Sequence, residues 1–256
     1  MVSLVALGLI VRIYPPLEVV GNIAINLISS AIGIGIGYVL VPRNSRTIVN
    51  LDVQEFCNDM ARADSSIEIV DIWLLRLLDG GNHTLFRQGL REACHRNIDI
   101  RIVLTKPESA AARERANALS ETREVRNRNA DGIQIWMHNH AVVMLQYIDE
   151  MTRETTMNNP DATKARIEFR FCEENSIIAM YRVDQKIRWN FYPPDRTAFH
   201  GKQYVFSAAP DEGEAMLFAR LFEMHWNKGQ PYDLKKYQAE TASKRLSDRT
   251  ANSSPS

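Results

Sequence analysis

The chain has 256 residues and balances 31 basic against 31 acidic side chains, so its formal charge at pH 7 is zero with the histidines neutral. Without a basic surplus to grip a phosphate backbone, no nucleic-acid partner is expected. Cys57, Cys94 and Cys172 are odd in number and fit no C-x2-C metal spacing. They point to a reducing compartment with buried thiols, and neither a metal nor another cofactor is expected.

Residues 2–14 are apolar apart from Arg12. As a helix they would rise only about 20 Å, too short to cross a bilayer comfortably. Pro15 and Pro16 then break the helix, since neither can donate a backbone hydrogen bond. Residues 17–41, LEVVGNIAINLISSAIGIGIGYVLV, carry one charge, Glu18. At 1.5 Å per residue this run would be about 37 Å long, enough for a hydrocarbon core of about 30 Å with some tilt. A secretory signal fits poorly, because no basic residue precedes the first apolar run and the second is too long. Residues 1–42 therefore read as a membrane anchor, with a bilayer as partner.

Arg43 and Arg46 follow the long span directly. Positive charge stays on the inner side, which predicts a cell-membrane protein with its C-terminal domain in the cytoplasm. Asn22, Asn26, Gly33 and Gly37 fall on one side of the predicted span, so a close helix–helix contact and a homodimer or higher homo-oligomer are expected.

After a linker, 43–50, the pattern becomes that of a mixed α/β domain over 51–232. Residues 52–63 place Val53, Phe56, Cys57 and Met60 on one helical face. IEIVDIW (67–73) reads as a strand, 83–95 as a helix and IDIRIVLT (98–105) as a second strand. That order predicts a right-handed crossover between parallel strands. Helices are expected over 109–129 and 133–152, where His138 and His140 point to different faces and make no metal pair. Strands follow at 167–171, 177–183, 186–192 and 203–206, the middle two joined by Asp184-Gln185 at the spacing of a tight hairpin. A helix over 211–227 ends at Gly229 and Pro231. The polar tail, 233–256, is expected to be largely disordered.

The succession of the leading amphipathic helix, IEIVDIW, FRQGLREACHRNIDIRIVLTKP, RIEFRFC and LFEMHWNKGQP resembles the phospholipase D-like superfamily in its single-repeat form. The resemblance spans about residues 51–231. It implies a mixed sheet flanked by helices, and a reaction centre built on H-x-K-x4-D. In that family the histidine attacks phosphorus, the lysine holds phosphoryl oxygens and the aspartate supports the local hydrogen bonds. Registered on Asp184, the histidine and lysine positions are Ile177 and Ala179, neither of which can do that work. The resemblance thus implies a degenerate centre with no catalytic residue.

Three readings compete. The first is a membrane-anchored, inactive phospholipase D-like module that senses a small-molecule or nucleotide ligand or binds a protein, with Asp184, Tyr181, Arg182, Lys186 and Arg188 as its ligand-binding groups. The second is a phosphodiesterase, nuclease or phospholipase using His200 and Lys202, which keep the H-x-K spacing but have Ser207 where the aspartate belongs. The third is a membrane-disrupting, defence-type effector gated by the cytoplasmic domain.

Overall fold

In the computed structural model the described residues are 46–48, 51–122, 129–158, 167–174, 176, 178–192, 203–209 and 213–252. The chain divides into two units, Met1–Val41 and Pro42–Ser256. The apolar stretch 17–41, with Asn22, Asn26, Gly33 and Gly37, lies outside the described residues. Among those described, no helix is long and apolar enough to cross a membrane.

The second unit is built on one eight-stranded sheet. Its strands are β1 (Arg46–Ile48), β2 (Ser66–Asp71), β3 (Asp99–Thr105), β4 (Ile167–Cys172), β5 (Ile178–Val183), β6 (Lys186–Phe191), β7 (Gln203–Ser207) and β8 (Gln230–Pro231). They lie in the order β1-β7-β6-β5-β2-β3-β4-β8. β2, β3 and β4 run parallel to one another, and every other pairing is antiparallel. The expected crossover between parallel strands and the expected hairpin are both present. The linker contributes more than a connection, since β1 pairs with β7 at the sheet edge.

The helices are α1 (Val53–Ala61), α2 (Leu75–Leu78), α3 (Asn82–His95), α4 (Ala110–Thr122), α5 (Ala130–Asn158), α6 (Gly213–Lys228) and α7 (Leu234–Asn252). Strand alternation sends Ile67, Ile69, Ile100, Ile102, Leu104, Phe169, Phe171, Tyr181 and Val183 to one sheet face, where α1, α3 and α5 cover them. α1 starts at Asp52, whose side chain accepts from Glu55 N at 2.9 Å, a cap worth about 1 kcal/mol. It buries Phe56 and Met60 completely, each contributing about 2 kcal/mol by removal from water. Gly89 lets α3 press against α1, for a Cβ there would come within 3.1 Å of the Cys57 carbonyl oxygen. The other face is covered by α6, whose Phe218 meets Trp189 and Phe206 and whose Phe222 and Trp226 lie under Arg101.

Two helical segments depart from the sequence expectation. The apolar helix starts at Ala130 and continues to Asn158, because Thr152 and Thr155 cap their hydroxyls on carbonyls four residues back and leave the backbone helical. The tail is not structureless over its first part: α7 forms, with Tyr237 buried against Phe171 and His138. Tyr237 is buried and Leu234 packs against the same core, which gives this polar segment an apolar attachment.

Candidate ligand-binding site

The carboxyl ends of the parallel strands β2, β3 and β4 carry two polar clusters on the same edge of the sheet. Open α/β sheets place ligands at this edge, where backbone and side chains diverge from the strands.

At the end of β2, Asp71 is buried and accepts four hydrogen bonds. Ile72 N donates at 2.6 Å and Trp73 N at 3.4 Å to Oδ1. The Tyr192 hydroxyl donates to Oδ1 and the Tyr181 hydroxyl to Oδ2. All four donors are neutral, so burial wins and pushes the carboxyl above its ordinary value despite them. Burial and the neighbouring carboxylate push both tyrosines well above theirs. The chain leaves the strand through Leu74 at φ 53, a left-handed conformation that costs a branched residue about 1 kcal/mol. Around this knot, Arg115 is buried with its guanidinium 5.4 Å from the Tyr192 ring centre. His140 is buried too, and its Nδ1–H donates to the Trp73 carbonyl at 3.3 Å. Burial holds His140 below the ordinary imidazole value, so it is neutral at pH 7.

At the ends of β3 and β4 there is an open cavity of about 230 Å³, lined by Lys106, Glu108, Glu173, Tyr237, Glu240 and Thr241. Its floor is Glu108, with a side chain 22% exposed; Glu240 at 43% and Glu173 at 67% form the rim. Tyr237 OH donates to Glu108 Oε1 at 2.8 Å, and His138 Nδ1–H reaches the same oxygen at 3.1 Å and the Tyr237 hydroxyl at 2.7 Å. Burial works against the Glu108 carboxylate, but the His138 and Tyr237 bonds outweigh it and hold the carboxyl below its ordinary value. Lys106 Nζ donates to Tyr232 OH at 2.7 Å and Glu240 Oε2 at 3.1 Å and lies 3.7 Å from Glu173. Burial opposes its charge, yet these partners more than restore it and raise its pKa.

The five hairpin residues singled out from sequence do not converge. Tyr181 belongs to the Asp71 cluster. Arg182 faces the α6 side, where Nη1 donates to Glu68 at 3.1 Å and Nε to the Asp184 carbonyl at 2.8 Å. Lys186 and Arg188 lie against α1: Lys186 Nζ is 2.8 Å from both Glu55 and Asp59, and Arg188 Nη2 donates to Asp59. Arg188 is fully buried, and its Nε and Nη1 have no partner among the described residues. Asp184 occupies the turn at φ 52 and accepts from Asp64 N, Ser65 N, Ser65 Oγ and Ser66 N at 2.7–3.1 Å. It clamps the hairpin to the loop before β2. Burial alone would raise its pKa, and the backbone and serine donors bring it below the ordinary value. Ala179 is buried on β5 opposite Asn190, two residues from Tyr181. His200 and Lys202 lie outside the described residues.

Sequence reasoning missed Asp71, Glu108 and Tyr237. Asp71 had a signal, a carboxylate that follows Glu68 inside the otherwise apolar run IEIVDIW, which a buried strand tolerates only with partners. His138 and His140 point apart as expected, the first to Glu108 and Tyr237 and the second to Trp73. Among the described residues no three His, Cys, Asp or Glu side chains come together to hold a metal ion.

The unit is thus a mixed α/β domain with two polar clusters at its carboxyl edge. No family model matches the chain, and no curated protein matches it. Among solved structures it is similar to TrmBL2, an archaeal chromatin protein described as showing a novel mode of DNA binding. That match has 13% identity and a TM-score of 0.42 and covers 84% of this chain. It spans 65% of the archaeal protein, just under two thirds of its length. The chain is also similar to Nuc from Salmonella typhimurium, a phospholipase D family member, at 14% identity and a TM-score of 0.40, over 74% of this chain and 98% of that one.

Proposed function

We propose that the unit from Pro42 onward is a non-catalytic phospholipase D-like module that acts by binding, held at a bilayer by residues 17–41 with its α/β part on the cytoplasmic side. The observation that carries this reading is Ala179. At the position where the resemblance requires a phosphate-holding lysine stands a buried methyl group, in the same buried cluster as Tyr181, whose hydroxyl is bonded to Asp71 together with that of Tyr192. Nothing in that knot can attack phosphorus: the carboxylate is enclosed, and the two hydroxyls are spent on it. Asp184 has a structural task that needs neither histidine nor lysine beside it.

Self-association through Asn22, Asn26, Gly33 and Gly37 belongs to the same reading. The span would bring two α/β units together, as a sensor that reports ligand through assembly requires. The test has two arms. Full-length protein is expected in the membrane fraction, extracted by detergent and not by high salt or alkali. In detergent it is expected to release no product from a model phosphodiester, a phospholipid or an oligonucleotide. Turnover abolished by His200→Ala would replace this reading with that of a phosphodiesterase, and recovery of the protein from the aqueous fraction would remove the anchor.

A further inference from the structure

The end of α6 holds a buried histidine that neither polar cluster uses. His225 is 5% exposed, and its Nε2 lies 3.3 Å from the Oγ of Ser176, a residue between β4 and β5. The serine hydroxyl donates to the Ile178 carbonyl at 2.6 Å, so towards the ring its oxygen can only accept. Nε2 therefore carries the proton of the neutral imidazole. Nδ1 is buried and has no partner among the described residues, so a second proton would find no acceptor there. The surroundings do not welcome a positive charge either. Lys228, one turn on, is paired through Nζ with Glu174 at 2.6 Å. Arg170 on β4 donates Nη1–H to the Trp226 carbonyl at 2.9 Å and already answers the negative end of the helix. Further along this sheet face lie Cys172, Glu168, Arg101, Glu68 and Arg182; Arg101 is paired with Glu68 and with Glu223 of α6, and Arg182 with Glu68. Burial and then Lys228 hold His225 below the ordinary imidazole value, against the pull of Glu174.

We propose that His225 is an acid-sensitive latch: neutral, it pins the last turn of α6 to Ser176, and its protonation frees that turn together with β8. The two are joined without slack. Gly229 N bonds the His225 and Trp226 carbonyls at 3.0 and 3.2 Å, and a Cβ on Gly229 would come within 2.9 Å of Arg170 Cβ. Gln230 and Pro231 follow at once and pair with Phe171 and Arg170, and Tyr232 N donates to the Phe169 carbonyl at 3.1 Å. β8 is only two residues long, so its place at the sheet edge depends on the turn before it. The folded-state pKa of His225 lies below its ordinary 6.5, so the latch is fully closed above that pH and weakens as pH falls from 6.5 towards the folded value. The inference goes beyond the reading above and does not depend on it: an active phosphodiesterase would have the same latch.

Amide hydrogen exchange on the full-length protein in detergent tests it, read over 229–232 at pH 7.5 and 5.5 and corrected for the intrinsic chemical rate. Exchange there is expected to be several-fold faster at pH 5.5, with about tenfold as the ceiling one unit below the ordinary imidazole value, while β2 and β3 do not share the change. His225→Gln keeps a donor for Ser176 and cannot gain a charge, so its corner should exchange alike at both pH values. Lys228→Gln alters an exposed side chain and leaves Glu174 free to meet a charged imidazole, so the acid response should shrink. K228Q decides the matter even if H225Q unfolds, which a thermal melt reports. Absence of acceleration in wild type would overturn the proposal. So would an acceleration shared equally by β2 and β3, or one that every folded variant keeps in full.

Discussion

Asp71 and Glu108 are two carboxylates at one edge of one sheet, both held by a tyrosine hydroxyl, yet their environments shift them in opposite directions. Asp71 is enclosed with four neutral donors, and burial prevails, raising its pKa. Glu108 is less buried and takes its donors on a single oxygen, and it stays easier to ionise than usual. The number of hydrogen bonds does not decide the matter; what decides it is how much water the site gives up for them. The first carboxylate is a fastening inside a filled centre. The second is a hydrogen-bonded carboxylate beside an open cavity.

The largest expected effect sharpens this contrast. Asp71→Ala would strand two tyrosine hydroxyls and two backbone N–H groups, costing about 3 kcal/mol in denaturant unfolding. Glu108→Ala, beside an open cavity, should cost about 1 kcal/mol, because water can replace the lost acceptor. Equal losses would mean that the two sites are equally closed.

Asp184→Ala comes next, at about 2 kcal/mol, since the loop before β2 loses its acceptor and alanine must take a left-handed φ. Asp184→Gly keeps the loss of the clamp but removes the strain, and its melting temperature should fall between those of wild type and D184A. If D184A melted like wild type, the clamp would have no weight and Asp184 would be free to serve a ligand.

The subtlest prediction concerns pH. The folded-state pKa of Asp71 lies above its ordinary 3.8, so its contribution to stability is full below that value and is lost as pH rises through the folded pKa. For Glu108 the folded value lies below the ordinary 4.5, so its contribution is present above that pH and is lost as pH falls through the folded value. Between about pH 3 and pH 6 the penalty of Asp71→Asn should therefore shrink while that of Glu108→Gln grows. Parallel slopes in urea titrations would break the comparison.

The sheet was largely legible because its signals are local. The strand–helix–strand crossover lies within 66–105, and the hairpin is set by two residues between alternating runs, so periodicity alone finds both. The carboxyl edge was not legible because its contacts join distant parts of the chain. Asp71 meets Tyr181 and Tyr192 across 110 and 121 positions, and Glu108 meets Tyr237 across 129. No spacing rule reaches that far. α7 was hidden for a different reason: its composition is that of a solvated segment, and it is attached by the buried Tyr237 with Leu234 beside the same core. The hairpin residues were adjacent in sequence, but alternation along β5 and β6 sends Arg182 to one face and Tyr181 and Arg188 to the other.

The central proposal is that this domain acts by binding and not by catalysis. It is tested most directly by incubating stoichiometric full-length protein with a chromogenic phosphodiester, beside a His200→Ala variant. The account predicts that neither releases product above the buffer rate and that no phosphohistidine accumulates. Release by wild type that vanishes in H200A would contradict it.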